Sequence, residues 1–183
     1  MAGTPPLEFR VRGANQLDQL ARQIREAGDR DLRNELRRGF REAGKPVVAD
    51  LKTAVRAISS SADGRGGGSH ARAAHRGARR VTRAHGLRAR IASLIRFKVT
   101  LSGRNVGVRV EVDTSGLPPD QRTLPQHLDD PGGWRHPVYG NREVWVTQHG
   151  QPWWEVTIAR HQAQFERDAA ALMERIADRL TSE

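Results

Sequence analysis

The chain has 183 residues, a formal net charge of +10 and no cysteine. That length suits one domain, and the lack of cysteine excludes disulfides and thiolate metal sites. No run of about 18 apolar residues occurs, so no membrane span is expected, and Met1–Arg12 lacks the apolar stretch of a signal peptide.

The predicted elements follow in chain order. Leu7–Arg12 alternates apolar and polar residues, as a half-buried strand does. Asn15 is placed to cap a helix carrying Leu17, Leu20 and Ile24, ending near Gly28. Asp29 or Asp31 opens the next helix, whose apolar face is Leu32, Leu36, Phe40, Ala43, Val47, Leu51, Val55 and Ile58. Gly44 and Pro46 predict a kink or break within it.

Ser59–His70 has the composition of a flexible linker, and the Ala/Arg-rich stretch after it offers no apolar face. Residues 59–86 therefore predict a basic arm, disordered in the free protein. Leu87–Leu94 predicts a short helix. Ile95–Leu101 and Val106–Val112 alternate with period two around Ser102–Asn105, the pattern of a β-hairpin. Thr114–Gly133 reads as a long polar loop, and Glu143–Thr147 as a short strand. A closing helix over Trp154–Leu180 carries Ile158, Phe165, Ala169, Leu172, Ile176 and Leu180 on one face. The predicted fold class is α+β. A small antiparallel sheet packs against N-terminal and C-terminal helices, and the arm at 59–86 is inserted into a single domain over 1–183.

The charge is uneven. Arg65–Lys98 holds ten basic residues and no acidic one, while the other 149 residues hold 21 of each. Such a run attracts a polyanion, phosphate backbone above all, or pairs with acidic surface on neighbouring subunits. Arg72, Arg76, Arg79, Arg80 and Arg83 are its candidate DNA-facing or partner-binding residues. No aromatic residues interleave with them, so contact would be to backbone and carry no sequence specificity.

Catalytic chemistry is not indicated, and no enzyme activity is expected. His127, His136, His149 and His161 lie 9, 13 and 12 residues apart, unlike the short pairs of zinc sites. No metal and no cofactor is expected. Asp63–Gly68 is glycine-rich but lacks the lysine and Ser/Thr of a phosphate-binding loop. Leu128–Asp130, next to Pro-Gly-Gly, reads as turn chemistry.

All four tryptophans and the single tyrosine fall in the 21 residues from Trp134 to Trp154. Large amphipathic rings so concentrated suit an interface as well as a core. His136-Pro137-Val138-Tyr139-Gly140-Asn141 predicts a rigid turn delivering the Glu143–Thr147 strand. Tyr139 and Trp145 are expected in the core, and Trp134, Trp153 and Trp154 against a neighbouring subunit.

The stretch GWRHPVYGNREVWVTQHGQPWW resembles the signature of the tail-completion (neck) family of long-tailed phages, whose members are often labelled minor tail or head–tail connector proteins. Trp134, His136, Pro137, Tyr139, Gly140 and Asn141 match its first part, with tyrosine where phenylalanine is commoner. Trp145, Gln148, Pro152 and Trp153 match the second, and a long amphipathic helix follows. The motif covers about 25 residues; the order of elements matches over most of the chain. The arm is longer and more basic than the family pattern. The resemblance implies a structural virion protein of the tail or neck, present in host cytoplasm during assembly. It implies a homo-oligomeric ring, with six-fold symmetry expected, around the DNA channel, contacting other neck and tail proteins. The alternative is a non-specific nucleic-acid-binding protein that uses the basic arm.

Overall fold

The computed structural model describes residues 7–10, 14–58, 61–63, 86–103, 106–138 and 141–182. The chain is α+β. Among the described residues it has five α-helices and two small antiparallel sheets.

Helix α1 (Ala14–Glu26) buries Leu17, Leu20, Ala21 and Ile24 on one side. Its end is set by Gly28 at φ 72°, which lets the Asp29 amide turn back to donate to the Ile24 carbonyl at 3.2 Å. Asp29 then caps helix α2 (Arg30–Ala57), its Oδ1 accepting from the amides of Asp31 at 2.8 Å and Leu32 at 2.9 Å. Asn15, expected as a cap, instead lies inside the first turn of α1, a difference of the size by which helix ends commonly vary.

The expected break in α2 does not occur. The helix runs 28 residues through Pro46. Pro46 is exposed, so the Glu42 carbonyl that loses its donor sits on the solvent side. On the opposite side Phe40, Val47 and Leu51 are buried and hold both halves of the helix to the core. Gly44 has a packing reason: a Cβ there would lie 2.4 Å from Cε2 of Phe97.

Strands β3 (Ile95–Thr100) and β4 (Gly107–Val112) form the expected hairpin, with Ile95 opposite Val112 and Phe97 opposite Val110. Strand β1 (Glu8–Arg10) pairs with the far side of β4, giving the order β1-β4-β3. Val108, Val110 and Val112 point inward with period two.

Helix α5 (Trp154–Ser182) packs along α2. Gly39 lets the two approach, since a Cβ there would sit 2.6 Å from the Leu172 methyls. Two clusters fill the space between helices and sheet. One gathers α1, the first half of α2 and the second half of α5. The other gathers the end of α2, the start of α5 and helix α3 (Leu87–Ser93). Phe97 touches both and meets Phe165 edge-on at 5.8 Å between ring centres.

Three further expectations are corrected. The Thr114–Gly133 loop contains two 3-10 turns, Thr114–Gly116 and Pro119–Gln121, and helix α4 (Leu124–Asp129). It is anchored because Leu117, Pro125 and Leu128 are buried. Ser61–Asp63, inside the expected linker, forms strand β2. It pairs with His149–Thr147 and so gains hydrogen bonds that composition alone does not reveal. Finally, there is a second sheet, β2-β6-β5, with β5 at Trp134–Val138 and β6 at Asn141–His149. The rest of the arm, including Arg72, Arg76, Arg79, Arg80 and Arg83, lies outside the described residues, as do Tyr139 and Gly140.

Candidate functional site: the aromatic hairpin and its base

The aromatic segment builds one hairpin and the start of α5. His136 and Pro137, expected in a turn, lie in β5, with His136 opposite Val146 and Pro137 opposite Trp145. Strand β5 is the edge of its sheet, where a residue without an N–H is tolerated. The register shifts between Pro137 and Val138, and Val138 pairs with Asn141. The rigid unit is therefore a bulged hairpin, and β6 is nine residues long where five were expected.

The base of the hairpin is held by stacked rings. Trp134, half-buried, lies between His127 at 5.3 Å and His136 at 5.8 Å, nearly parallel to both. The His136 ring sits between the Pro137 carbonyl oxygen, 3.0 Å from Nδ1, and the Gln148 amide, 3.1 Å from Nε2. His136, one of the predicted turn residues, thus ties β5 to Gln148 of β6.

The turn into α5 explains the Gly-Gln-Pro-Trp-Trp sequence. A Cβ on Gly150 would meet the carbonyl oxygens of His127 at 2.4 Å and Leu128 at 2.6 Å, so only glycine fits there. Backbone bonds from Gly150 N to Asp130 O at 3.0 Å and from Gln151 N to Leu128 O at 2.9 Å join this turn to α4. Asp129 caps α5 from a distance in sequence: its Oδ1 accepts from the amides of Trp153 at 2.7 Å and Trp154 at 2.8 Å. Asp130 Oδ1 accepts from Gly132 N at 2.8 Å, the expected turn chemistry. The role of Asp129 was not readable, because its partners lie 24 and 25 residues away.

The tryptophans divide differently from expectation. Trp153 and Trp154 are each 3% exposed and pack edge to face at 5.4 Å. They belong to this chain's own core, beside Leu128 and Ile158, and offer almost no surface to a neighbour. Anchoring by Asp129 and Gly150 turns both inward. Trp145, expected in the core, is 49% exposed. It alternates with Val144, also 49% exposed, so the outer part of β6 has apolar side chains towards solvent on both faces. The Arg135 guanidinium lies 5.7 Å from the centre of the Trp145 ring. Val144 was not singled out in the sequence; an alternating strand with large apolar groups on both faces was the available signal.

Among the described residues no group of three or more His, Asp or Glu side chains could hold a metal ion, and no helix is long and apolar enough to cross a membrane. Comparison with protein-family models, with curated proteins and with solved structures finds no match to this chain.

Proposed function

We propose that the protein is a structural component of the neck of a long-tailed phage, acting in tail completion as a ring of copies around the DNA channel at the head–tail junction. One observation carries this reading: the signature residues act as a unit. Trp134, His136 and Pro137 on β5 and Trp145 and Gln148 on β6 make one hairpin, and Pro152–Trp154 fasten its base to a 29-residue closing helix. The exposed Val144 and Trp145, one on each face of that hairpin, support contact with other subunits, since large aromatic side chains are enriched at protein interfaces. In this reading the protein has no catalytic role, and its partners are further copies, other neck and tail proteins, and DNA backbone. The role expected for Trp153 and Trp154 passes to Val144 and Trp145, while Trp134 stiffens the hairpin.

The test is assembly. Light scattering and electron microscopy should find a closed ring, and purified particles should contain the protein. Substituting Val144→Ser and Trp145→Ala together should leave a folded protomer that forms no ring. An unmodified protein that stays monomeric at micromolar concentration and is missing from particles ends the reading.

A further inference from the structure

Outside the basic run, positive and negative charges balance in number, but α2 sorts them in space. Arg41, Lys45, Lys52 and Arg56 recur at spacings of four, seven and four. At about 3.6 residues per turn they fall within roughly 60° of one another around the helix. They form a single file about 22 Å long, from a rise of about 1.5 Å per residue. Their neighbours extend the file. Arg96 of β3 lines one groove with Arg41, Lys45 and Lys52, over an apolar floor of Val48 and Phe97. Arg88 of α3 lines a second groove with Arg56.

Most of these cations have nothing to neutralise them. Arg41, Lys52, Arg56 and Arg88 make no ion pair or hydrogen bond with any described residue. Lys45 pairs with Glu42 at 2.6 Å, an exposed bond on the helix surface that a competing anion displaces at little cost. Arg96 donates to the Ser93 carbonyl. The nearby acids point elsewhere or are few. Asp50 faces α5, where it meets His161 at 2.8 Å. Among the described residues, Asp120 is the one carboxylate that lines the groove of Arg56 and Arg88.

We propose that this track along α2, continued by Arg88 and Arg96, binds the phosphodiester backbone of nucleic acid. Three observations favour that partner. First, the cations stand in line, one per helical turn or two. A turn advances about 5.4 Å, against about 3.4 Å of axial rise per nucleotide on a strand, so a straight run of phosphates can be followed. Second, of the exposed large apolar residues Leu87 alone borders the track, beside Arg88, while Val144, Trp145 and Val156 are on β6 and α5; one side chain is far less than the continuous apolar face that an inserting membrane surface needs. Third, Gly86, where the basic run rejoins the described fold, lines the same groove as Arg56. The track deepens the neck reading by naming the surface that meets DNA, but nucleic-acid binding here does not require a ring.

The experiment uses the full chain and a fluorescently labelled DNA duplex of mixed sequence, followed by anisotropy across a salt series. Three neutralised cations should lower the slope of log K against log salt by about 2.7, at about 0.9 per phosphate contact. The track variant is Arg41→Gln, Lys52→Gln and Arg56→Gln together. The control removes the same net charge elsewhere, with Arg25→Gln, Arg160→Gln and Arg167→Gln on α1 and α5. A slope that falls by two or more for the track variant and by less than one for the control supports the proposal. Equal slopes for the two variants overturn it, as does an unmodified protein that binds no DNA at low salt; the latter result assigns the cations to an acidic protein surface. Ring formation is read separately. A track variant with the lowered slope and no ring in any variant sinks the neck reading alone, whereas a ring with unchanged slopes sinks the track alone.

Discussion

Two tryptophans eight residues apart should answer truncation in opposite ways. Trp153 is 3% exposed within the core around Leu128, Trp154 and Ile158. Removing a buried aromatic side chain costs about 3–5 kcal/mol. Part of that loss is offset, because Trp153 Nε1 is buried with no hydrogen-bond partner among the described residues, and burying an unpaired donor costs about 1–3 kcal/mol. Trp153→Ala should therefore fall at the lower end, near 3 kcal/mol, a large share of the roughly 5–15 kcal/mol that holds a domain together. Trp153→Phe keeps most of the ring and deletes the orphaned N–H, so it should cost about 1 kcal/mol or less. Trp145 is 49% exposed and has the Arg135 guanidinium over its ring. Truncation there gives up an exposed cation–π contact of about 0.5–1 kcal/mol and the burial of a half-exposed ring with no closed cavity left behind, so Trp145→Ala should cost clearly less than Trp153→Ala. Urea unfolding of the three variants, with an unchanged m-value as the check on a common unfolded state, measures all of this. Equal destabilisation by Trp145→Ala and Trp153→Ala would refute the division of the aromatic cluster into core and surface.

Asp129→Ala removes the acceptor for two amides at the start of α5 and should cost about 0.5–2 kcal/mol, while Asp129→Asn should recover most of it; the urea midpoint distinguishes them. Gly150→Ala drives a methyl into the α4 carbonyls and should destabilise by about 1–3 kcal/mol or more, read as a lowered thermal midpoint. The Asp113 carboxyl is held below the usual carboxylate range, chiefly by the Ser115 hydroxyl, which donates to it at 2.5 Å. A depressed folded-state value adds stability above the unfolded-state value, and that stability is lost as pH falls through the folded-state value. Ser115→Ala should therefore raise the Asp113 titration midpoint, followed by NMR, and narrow the acid window over which this contribution fades. Gly44→Ala sets a gain of about 0.5–1 kcal/mol in helix propensity against a Cβ 2.4 Å from the Phe97 ring. The clash should win, giving net destabilisation in urea unless Phe97→Leu is made with it.

What the sequence reveals depends on how far apart the partners lie. The long helices and the β3–β4 hairpin are written in local periodicity, so Leu32, Leu36, Phe40, Leu51 and Val55 fall on the buried face as their spacing predicts. Misreadings arise where a residue's reason is remote. Gly44 resembles a helix breaker until Phe97 of β3 is seen against it, and Pro46 resembles a kink until its exposed side is known. Ser61–Asp63 has a linker's composition and becomes a strand only through its pairing with β6. For the candidate site, residue type marked the right segment, since aromatic rings are concentrated there for a physical reason. It did not say which rings turn inward. That is decided by Asp129 and Gly150, through contacts with backbone more than 20 residues away in sequence, and so Trp153 and Trp154 are core while Trp145 faces solvent. The cations of α2 are the reverse case. Their spacing is written in the sequence, but a balanced total charge outside the basic run conceals them until Asp50 is seen bonded to His161 of α5 and Glu42 to Lys45, which leaves Arg41, Lys52 and Arg56 unpaired among the described residues. Net charge describes a chain, whereas binding depends on which charges share a face. A face on which Arg41, Lys52 and Arg56, with Arg88 beside them, stand unpaired among the described residues attracts an anion whatever the sum over the rest of the chain.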